Sequence, residues 1–304
     1  MTDFRSGFVA VIGRPNVGKS TLVNAFIGQK IAAVSPKAQT TRRRQMGILT
    51  TENYQIVFLD TPGLHTPHTK LGEFLNQEAE EALQGVDAIL WLLDASEDHT
   101  DEDRRIAALL AQVKRRAPLV LALNKIDLIP AEELPVKSAA FADLVVGAET
   151  YTLSAVRGEG QEALLEALVA KMPVREAEFD AEQTTDFYER EIAAELIRAA
   201  CLVHLRNEVP HGINVRMDEF IERGESGARI SATIFVERES QKGIVIGEGG
   251  TMLKKIGMAA RSEIEAMSAR KVFLELRVKV EKDWRDDENA LRRFGYKIEK
   301  KKKR

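Results

Sequence analysis

Eight residues near the start, Gly13-Arg14-Pro15-Asn16-Val17-Gly18-Lys19-Ser20, follow the pattern G-x-x-x-x-G-K-S. The five before them, Phe8-Val9-Ala10-Val11-Ile12, are apolar without a break, and Thr21 to Ile27 carry helical spacing. A strand that ends in a glycine-rich turn and opens a helix points successive backbone N–H groups inward. Those donors, with the helix N-terminus, cradle an anion. In such a loop Lys19 reaches the β- and γ-phosphates of a nucleotide, and the Ser20 hydroxyl ligates Mg2+. Phosphate binding is therefore expected from Gly13 through Thr21.

The rest of the first half must build a sheet around that strand. Apolar runs Phe8–Ile12, Ile56–Asp60, Ala88–Asp94, Leu119–Asn124 and Glu149–Ser154 alternate with helical stretches at 20–28, 69–84, 101–114, 132–146 and 160–171. Most runs lack polar alternation, as strands buried on both faces of a parallel sheet do. The expected fold is a doubly wound α/β domain with its ligand at the carboxyl ends of the strands. Gln45–Thr50 and Tyr54–Asp60 are separated by only Thr51-Glu52-Asn53, which permits an antiparallel hairpin but not a parallel crossover. The sheet should be mixed, with one antiparallel edge strand.

Composition adds bounds. The 304 residues suggest two domains, and the net charge of −3 places any nucleic-acid binding in local patches. Cys201 is the single cysteine, so no internal disulfide forms; it is expected in the core of a protein kept in a reducing, cytoplasmic compartment. No run of about 18 apolar residues spans a membrane, and Met1-Thr2-Asp3-Phe4 shows no signal-peptide pattern.

Asp60-Thr61-Pro62-Gly63 ends the second long apolar run. An aspartate there faces the same phosphates and holds Mg2+, usually through water, while the Gly63 N–H bonds the γ-phosphate. Asn124-Lys125-Ile126-Asp127 follows another buried run and reads as a guanine site. The Asp127 carboxylate accepts from guanine N1–H and the 2-amino group; adenine offers neither donor and would leave a buried carboxylate unpaired. Asn124 is expected to tie the loops together and Lys125 to pack its stem along the ring. Ser154-Ala155, after the last run, fits a companion loop with the Ala155 N–H aimed at guanine O6.

With these motifs in order, the domain resembles translation-factor-class GTPases, and its loop is similar to that of the Era/MnmE/EngA group. The resemblance implies GTP and GDP as ligands. It also implies a first switch within Ala38-Gln39-Thr40-Thr41-Arg42-Arg43-Arg44, with Thr41 on Mg2+ and Thr40 as fallback. A second switch runs from Asp60 through Thr61, Pro62, Gly63 and Leu64 to about Leu71. The physical logic is order–disorder: γ-phosphate and Mg2+ hold the loop, and hydrolysis frees it. Leu64 stands where Ras-like proteins carry the glutamine that orients the attacking water. In related potassium-dependent GTPases the asparagine at the position of Asn16 helps hold K+, which gives Asn16 as a K+ ligand. Arg42, Arg43 and Arg44 read as a solvated or RNA-facing surface, with catalytic fingers as the other option. His65 and His68 lie in the second switch and read as solvated; His99, His204 and His211 show no metal-ligand spacing.

Residues 1–172 are thus a GTPase domain, and the acidic stretch within 173–185, poor in large apolar side chains, reads as a linker. Over 186–296 the pattern changes to a helix (185–207), two strands (Asn214–Glu222 and Arg229–Glu237), two helices and a strand (Lys271–Val280). Gly247-Glu248-Gly249-Gly250 sits between the two helices. This order resembles a type II KH domain, whose G-x-x-G loop clamps the backbone of about four single-stranded nucleotides. Ile244, Ile246 and Met252 are candidate groove walls, and Lys242, Lys254, Lys255 and Arg261 candidate phosphate partners. Glu248 departs from the commoner basic residue. The tail, 297–304, is strongly basic and fits a solvated arm, an RNA-backbone arm or an anionic-lipid contact.

A GTPase followed by a KH domain over the whole chain resembles the bacterial Era-type GTPases. That resemblance implies a monomeric factor that binds the 3′ region of 16S rRNA, acts in 30S ribosomal subunit assembly and times its release by GTP hydrolysis. It also implies peripheral membrane association. A membrane-surface signalling GTPase and a nucleotide-independent RNA chaperone remain as alternatives.

Overall fold

A computed structural model of the chain describes residues 3–35, 40–113, 117–222 and 227–296. It divides into two compact units. The first holds 1–32, 41–66 and 75–186; the second holds 33–40, 67–74 and 187–304.

The first unit is built on a six-stranded sheet, ordered β2-β3-β1-β4-β5-β6. The strands are β1 (Arg5–Ile12), β2 (Gln45–Thr50), β3 (Tyr54–Asp60), β4 (Ala88–Asp94), β5 (Leu119–Asn124) and β6 (Glu149–Thr152). Only β2 runs antiparallel, paired with β3 across the three-residue turn, as the short spacing requires. The helices are α1 (Lys19–Ile27), α2 (Lys70–Glu81), α3 (Asp101–Gln112), α4 (Leu134–Ala142) and α5 (Gln161–Lys171). Unbroken apolar runs serve two cores at once, because successive side chains point to opposite faces. Val9, Val11, Phe58 and Leu92 pack with Leu22, Leu164 and Leu168, while Ala10, Ile12, Trp91 and Leu93 pack with Ile106, Leu110 and Phe141. The register aligns the carboxyl ends: Val11 lies opposite Asp60, and Asp94 opposite Asn124. Every functional motif of this unit leaves the sheet from that edge.

The stretch read as a linker is held along the sheet. The Gln55 side chain, fully buried, accepts from the Glu178 and Phe179 N–H groups at 2.8 and 3.0 Å and donates to the Phe179 carbonyl at 2.8 Å. Further on, Ile48 N–H donates to the Thr184 carbonyl at 2.9 Å, and the Asp186 carboxylate accepts from Met46 N–H at 2.8 Å. The acidic composition concealed this because the anchoring comes from backbone groups, which composition does not report.

The second unit follows the expected order: α6 (Glu189–His204), β7 (Asn214–Glu222), β8 (Ala228–Val236), α7 (Glu239–Ile246), α8 (Thr251–Ser268) and β9 (Val272–Val280). The sheet order is β7-β8-β9, antiparallel then parallel. Alternate residues Ile230, Ala232, Ile234 and Val236 face a core with Ile197, Val245, Ile256, Ala260 and Ile264. Cys201 is buried there, and burial pushes its thiol up to about 12. Helix α6 starts later than Thr185, where the Glu191 carboxylate accepts from Tyr188 N–H at 3.1 Å. Sequence periodicity also passed over α9 (Glu288–Arg293), a six-residue helix. Around it, Trp284 is buried and donates from Nε1 to the Gly212 carbonyl at 2.9 Å, and the Tyr296 hydroxyl donates to Asn214 at 3.0 Å.

Replacing Gln55 by alanine strips partners from three backbone groups of the held segment. Gln55→Ala should lower stability by about 2–4 kcal/mol in urea unfolding and make 174–184 the first site of limited proteolysis. An unchanged cleavage pattern would contradict the anchoring.

Candidate functional site

The loop from Gly13 to Ser20 leaves β1 and enters α1, whose first turn holds Lys19, Ser20 and Thr21. Gly18 caps that helix with φ 102°, and a Cβ there would lie 2.3 Å from Asn124 Nδ2. Lys19 is buried, and its Nζ donates to the Gly13 and Arg14 carbonyls at 3.1 and 2.8 Å. Burial lowers its pKa to about 8, with the Asp60 charge opposing and Arg14 adding to the fall. An ammonium so placed gains from an arriving anion, which restores the charge that burial penalises.

Ser20, Thr41 and Asp60 come from α1, the segment before β2 and the end of β3, and they meet. Ser20 Oγ donates to Asp60 Oδ2 at 2.6 Å, and Thr41 Oγ1 lies 2.8 Å from Ser20 Oγ and 3.4 Å from Asp60 Oδ2. Asp60 Oδ1 is buried without a hydrogen-bond partner among the described residues. Burial raises the Asp60 pKa to about 6, against the lowering effects of Ser20, Lys19 and Thr41. Three converging oxygens, one carboxylate oxygen orphaned, suit a hard divalent cation. The geometry selects Thr41 over Thr40 for this cluster. Thr40 instead accepts at its carbonyl from Arg198 of α6, inside the second unit.

The strand ends carry the base-side residues. Asn124 is buried between two loops: its Nδ2 donates to the Val17 carbonyl and its Oδ1 accepts from Ala155 N–H, both at 2.8 Å. The tie between loops is as expected, but the Ala155 N–H already has a protein acceptor, so guanine O6 would have to share it. Ser154 is buried and accepts from Arg157 N–H at 3.1 Å. Lys125 adopts a left-handed backbone, φ 68°, and sets its ammonium on buried Asp94. Asp94 was not singled out from sequence; its signal was an acidic residue ending an apolar strand. Asp127 lies in a single 3-10 turn, Ile126–Leu128, and is half-buried.

Several expectations change. The Arg14 guanidinium bonds Asp103 at 2.9 Å and lies 3.3 Å from Glu97, so its charge is spent on α3 and its flank. Arg42 is 1% exposed and is no part of a solvated surface; of the three arginines only Arg44 is exposed. Thr41 is drawn onto Ser20 and Asp60 and Gln45 is buried, so the segment lies against the folded chain, with Arg42 enclosed, Arg43 half-buried and Arg44 reaching solvent. Leu64 is buried and its N–H donates to the Gly13 carbonyl at 3.2 Å. Gly63 lies so close to Pro15 that a Cβ would stand 2.5 Å from its nitrogen. His65 is half-buried; its Nδ1 lies 3.0 Å from the Gly63 carbonyl, and its own carbonyl accepts from Asn76 at 2.7 Å. Asn16 is exposed with φ 65°. Ala38 and Gln39 lie outside the described residues, as does the tail.

In the second unit, Gly247-Glu248-Gly249-Gly250 joins α7 to α8, with φ of 73°, 57° and 80° at its three glycines. Glu248 is exposed, and Lys254 and Lys255 are exposed in the first turns of α8. Lys242 is half-buried, 3.8 Å from Glu239. Ile244 is 50% exposed, while Ile246 and Met252 are half-buried. Arg261 is the exception among the expected residues. It lies about 16 Å along α8 from Gly250, at 1.5 Å per residue, and forks two nitrogens onto Glu265 at 3.1 Å.

Comparison with known proteins agrees with both halves. A family described as 50S ribosome-binding GTPase matches residues 8–125, and the KH domain family matches 208–285. "GTPase Era" of Ruminiclostridium cellulolyticum is 44% identical over 298 residues, 98% of this chain and 99% of that relative. A crystal structure of Era in complex with MgGDPNP and nucleotides 1506–1542 of 16S ribosomal RNA is 36% identical, with a TM-score of 0.90 over 97% of this chain and 100% of its own. An Aquifex aeolicus Era variant bound to GDP and AlF4− is also 36% identical, with a TM-score of 0.91 over the same shares. Matched in sequence and in fold from end to end, the chain belongs to the GTPase Era family and is a GTPase.

Proposed function

We propose that this GTPase is a Mg2+- and GTP-dependent switch that governs an RNA clamp on the same chain. The convergence of Ser20, Thr41 and Asp60 beside Lys19 carries the reading. Ser20 and Thr41 would hold Mg2+ directly and Asp60 through water. The ion supplies charge neutralisation between the β- and γ-phosphates. Lys19 exchanges two carbonyl bonds for the phosphates, and the Gly63 N–H holds the γ-phosphate. Guanine is chosen by Asp127, with Asn124 fixing the loops on either side. When the γ-phosphate leaves, the reason for Thr41 to stay on Ser20 and Asp60 weakens, and the first switch is released.

Leu64 has no group to orient water, so hydrolysis relies on positioning and on charge beside the phosphates. Asn16 in the loop is the candidate K+ ligand that would supply such charge. The clamp at Gly247–Gly250, with Lys242, Lys254 and Lys255 as phosphate partners, takes single-stranded RNA in the manner of KH domains. The relative solved with 16S rRNA points to the 3′ region of that RNA as the partner. The role is then in 30S subunit assembly and 16S rRNA processing, in the cytoplasm, with the basic sequence of 297–304 suited to an anionic membrane face.

Three measurements bear on this. Crosslinking to assembling ribosomes should recover small-subunit RNA, more with a non-hydrolysable GTP analogue than with GDP; recovery of none would sink the assembly role. Asp127→Ala should weaken GTP binding by about 2–3 kcal/mol, roughly 30- to 150-fold, by nucleotide titration, and a loss under about threefold would remove Asp127 as the base reader. GTP turnover should be faster in KCl than in NaCl at equal ionic strength, and Asn16→Ala should erase the difference. Equal rates in the two salts would remove Asn16 as a K+ ligand.

A further inference from the structure

Arg14 sits inside the phosphate loop yet faces away from it. Its side chain is 11% exposed, with Nε 2.9 Å from Asp103 and Nη2 3.3 Å from Glu97. Asp103 is fully buried and already fixed, since its Oδ2 accepts from Thr100 N–H and Oγ1 at 2.8 and 2.9 Å. The receptor of the guanidinium is therefore a rigid carboxylate at the start of α3. Meanwhile the backbone limb that Arg14 belongs to meets the second switch. Leu64 N–H donates to the Gly13 carbonyl at 3.2 Å, and Gly63 abuts Pro15 with no room for a Cβ. The Arg14 carbonyl also accepts from Lys19 Nζ at 2.8 Å.

We propose that Arg14 is a positioning residue whose tether to Asp103 fixes the limb Gly13–Pro15 as the stop against which Gly63 closes, favouring the triphosphate over the diphosphate. This rests on the reading of Gly63 as a γ-phosphate donor. A diphosphate is held by the Lys19 side of the loop and makes no demand on Gly63. A triphosphate needs Gly63 at one distance from the loop, and that distance is set by contact with Pro15. Release of Arg14 lets the limb drift, which costs contacts that only the γ-phosphate makes. A lysine in place of Arg14 keeps the charge but loses the fork that spans Asp103 and Glu97.

The test is titration of the full chain with fluorescent GDPNP and GDP in Mg2+ buffer. Arg14→Ala, Arg14→Lys and Asp103→Asn should each weaken GDPNP about tenfold and GDP by less than about twofold, and the Arg14→Ala/Asp103→Asn pair should be no worse than either alone, as residues acting as one unit behave. Arg104→Ala removes an exposed ion pair with Asp101 on α3 without touching Arg14, Asp103 or Thr100 and should leave the GDPNP-to-GDP ratio unchanged. Unaltered GDPNP binding in Arg14→Lys and Asp103→Asn, with a loss in Arg14→Ala, would make Arg14 a direct phosphate ligand and overturn the proposal. Equal losses for both nucleotides would overturn it too. Thermal melting without nucleotide identifies a variant that does not fold, and the Arg14 variants then decide alone. Failure of the unaltered chain to bind either nucleotide would instead undo the underlying site reading.

Discussion

The structure depends on a carboxylate placed where water cannot serve it. Asp60 ends a strand buried along its length from Gln55, its pKa is raised to about 6 by burial, and one of its oxygens has no partner among the described residues. The groups that relieve it, Ser20 and Thr41, come from other parts of the chain. Lys19 is the mirror case, a buried ammonium with its pKa lowered to about 8. Each is disfavoured alone, and the pair is disposed to take a cation and an anion together. A magnesium nucleotide brings both charges to the place where Thr41 already meets Ser20 and Asp60.

That arrangement would be useless if its parts drifted, and the sheet prevents drift. Parallel pairing sets Val11 beside Asp60 and Asp94 beside Asn124, so the loops leave from one edge in fixed register. Asn124 then bridges the phosphate loop and the loop at Ala155 with one side chain. Arg14 bonds Asp103 of α3, and Gln55 holds the backbone at Glu178 and Phe179. These contacts need buried side chains of fixed rotamer, which a densely packed α/β core supplies.

Sequence disclosed the parts whose physics is local. The phosphate loop needs a strand, glycines and a helix within about twenty residues; the antiparallel edge strand follows from a three-residue turn; the two-helix clamp follows from apolar spacing around a glycine loop. What escaped is non-local. Arg14 meets Asp103 across 89 positions and Gln55 meets Phe179 across 124, so neither partner could be chosen from spacing. Arg42 looked like one of three surface cations because periodicity carries no signal in a short irregular segment. Arg261 was grouped with the clamp by sequence distance, whereas a straight helix carries it far along α8. Helix α9 is six residues long, too short for a periodic signal, and takes its place from buried neighbours such as Trp284.

A switch that governs an RNA clamp joins nucleotide state and RNA affinity in one linked equilibrium, in which each ligand must change the affinity for the other by the same factor. Fluorescence anisotropy of a labelled single-stranded RNA from the 3′ region of 16S rRNA, titrated with protein saturated in Mg2+ and either GDPNP or GDP, measures that factor directly. RNA should bind more tightly with GDPNP by about tenfold or more, about 1.4 kcal/mol of coupling. Identical affinities in the two nucleotide states would contradict it, leaving a GTPase and an RNA clamp that share a chain without sharing an equilibrium.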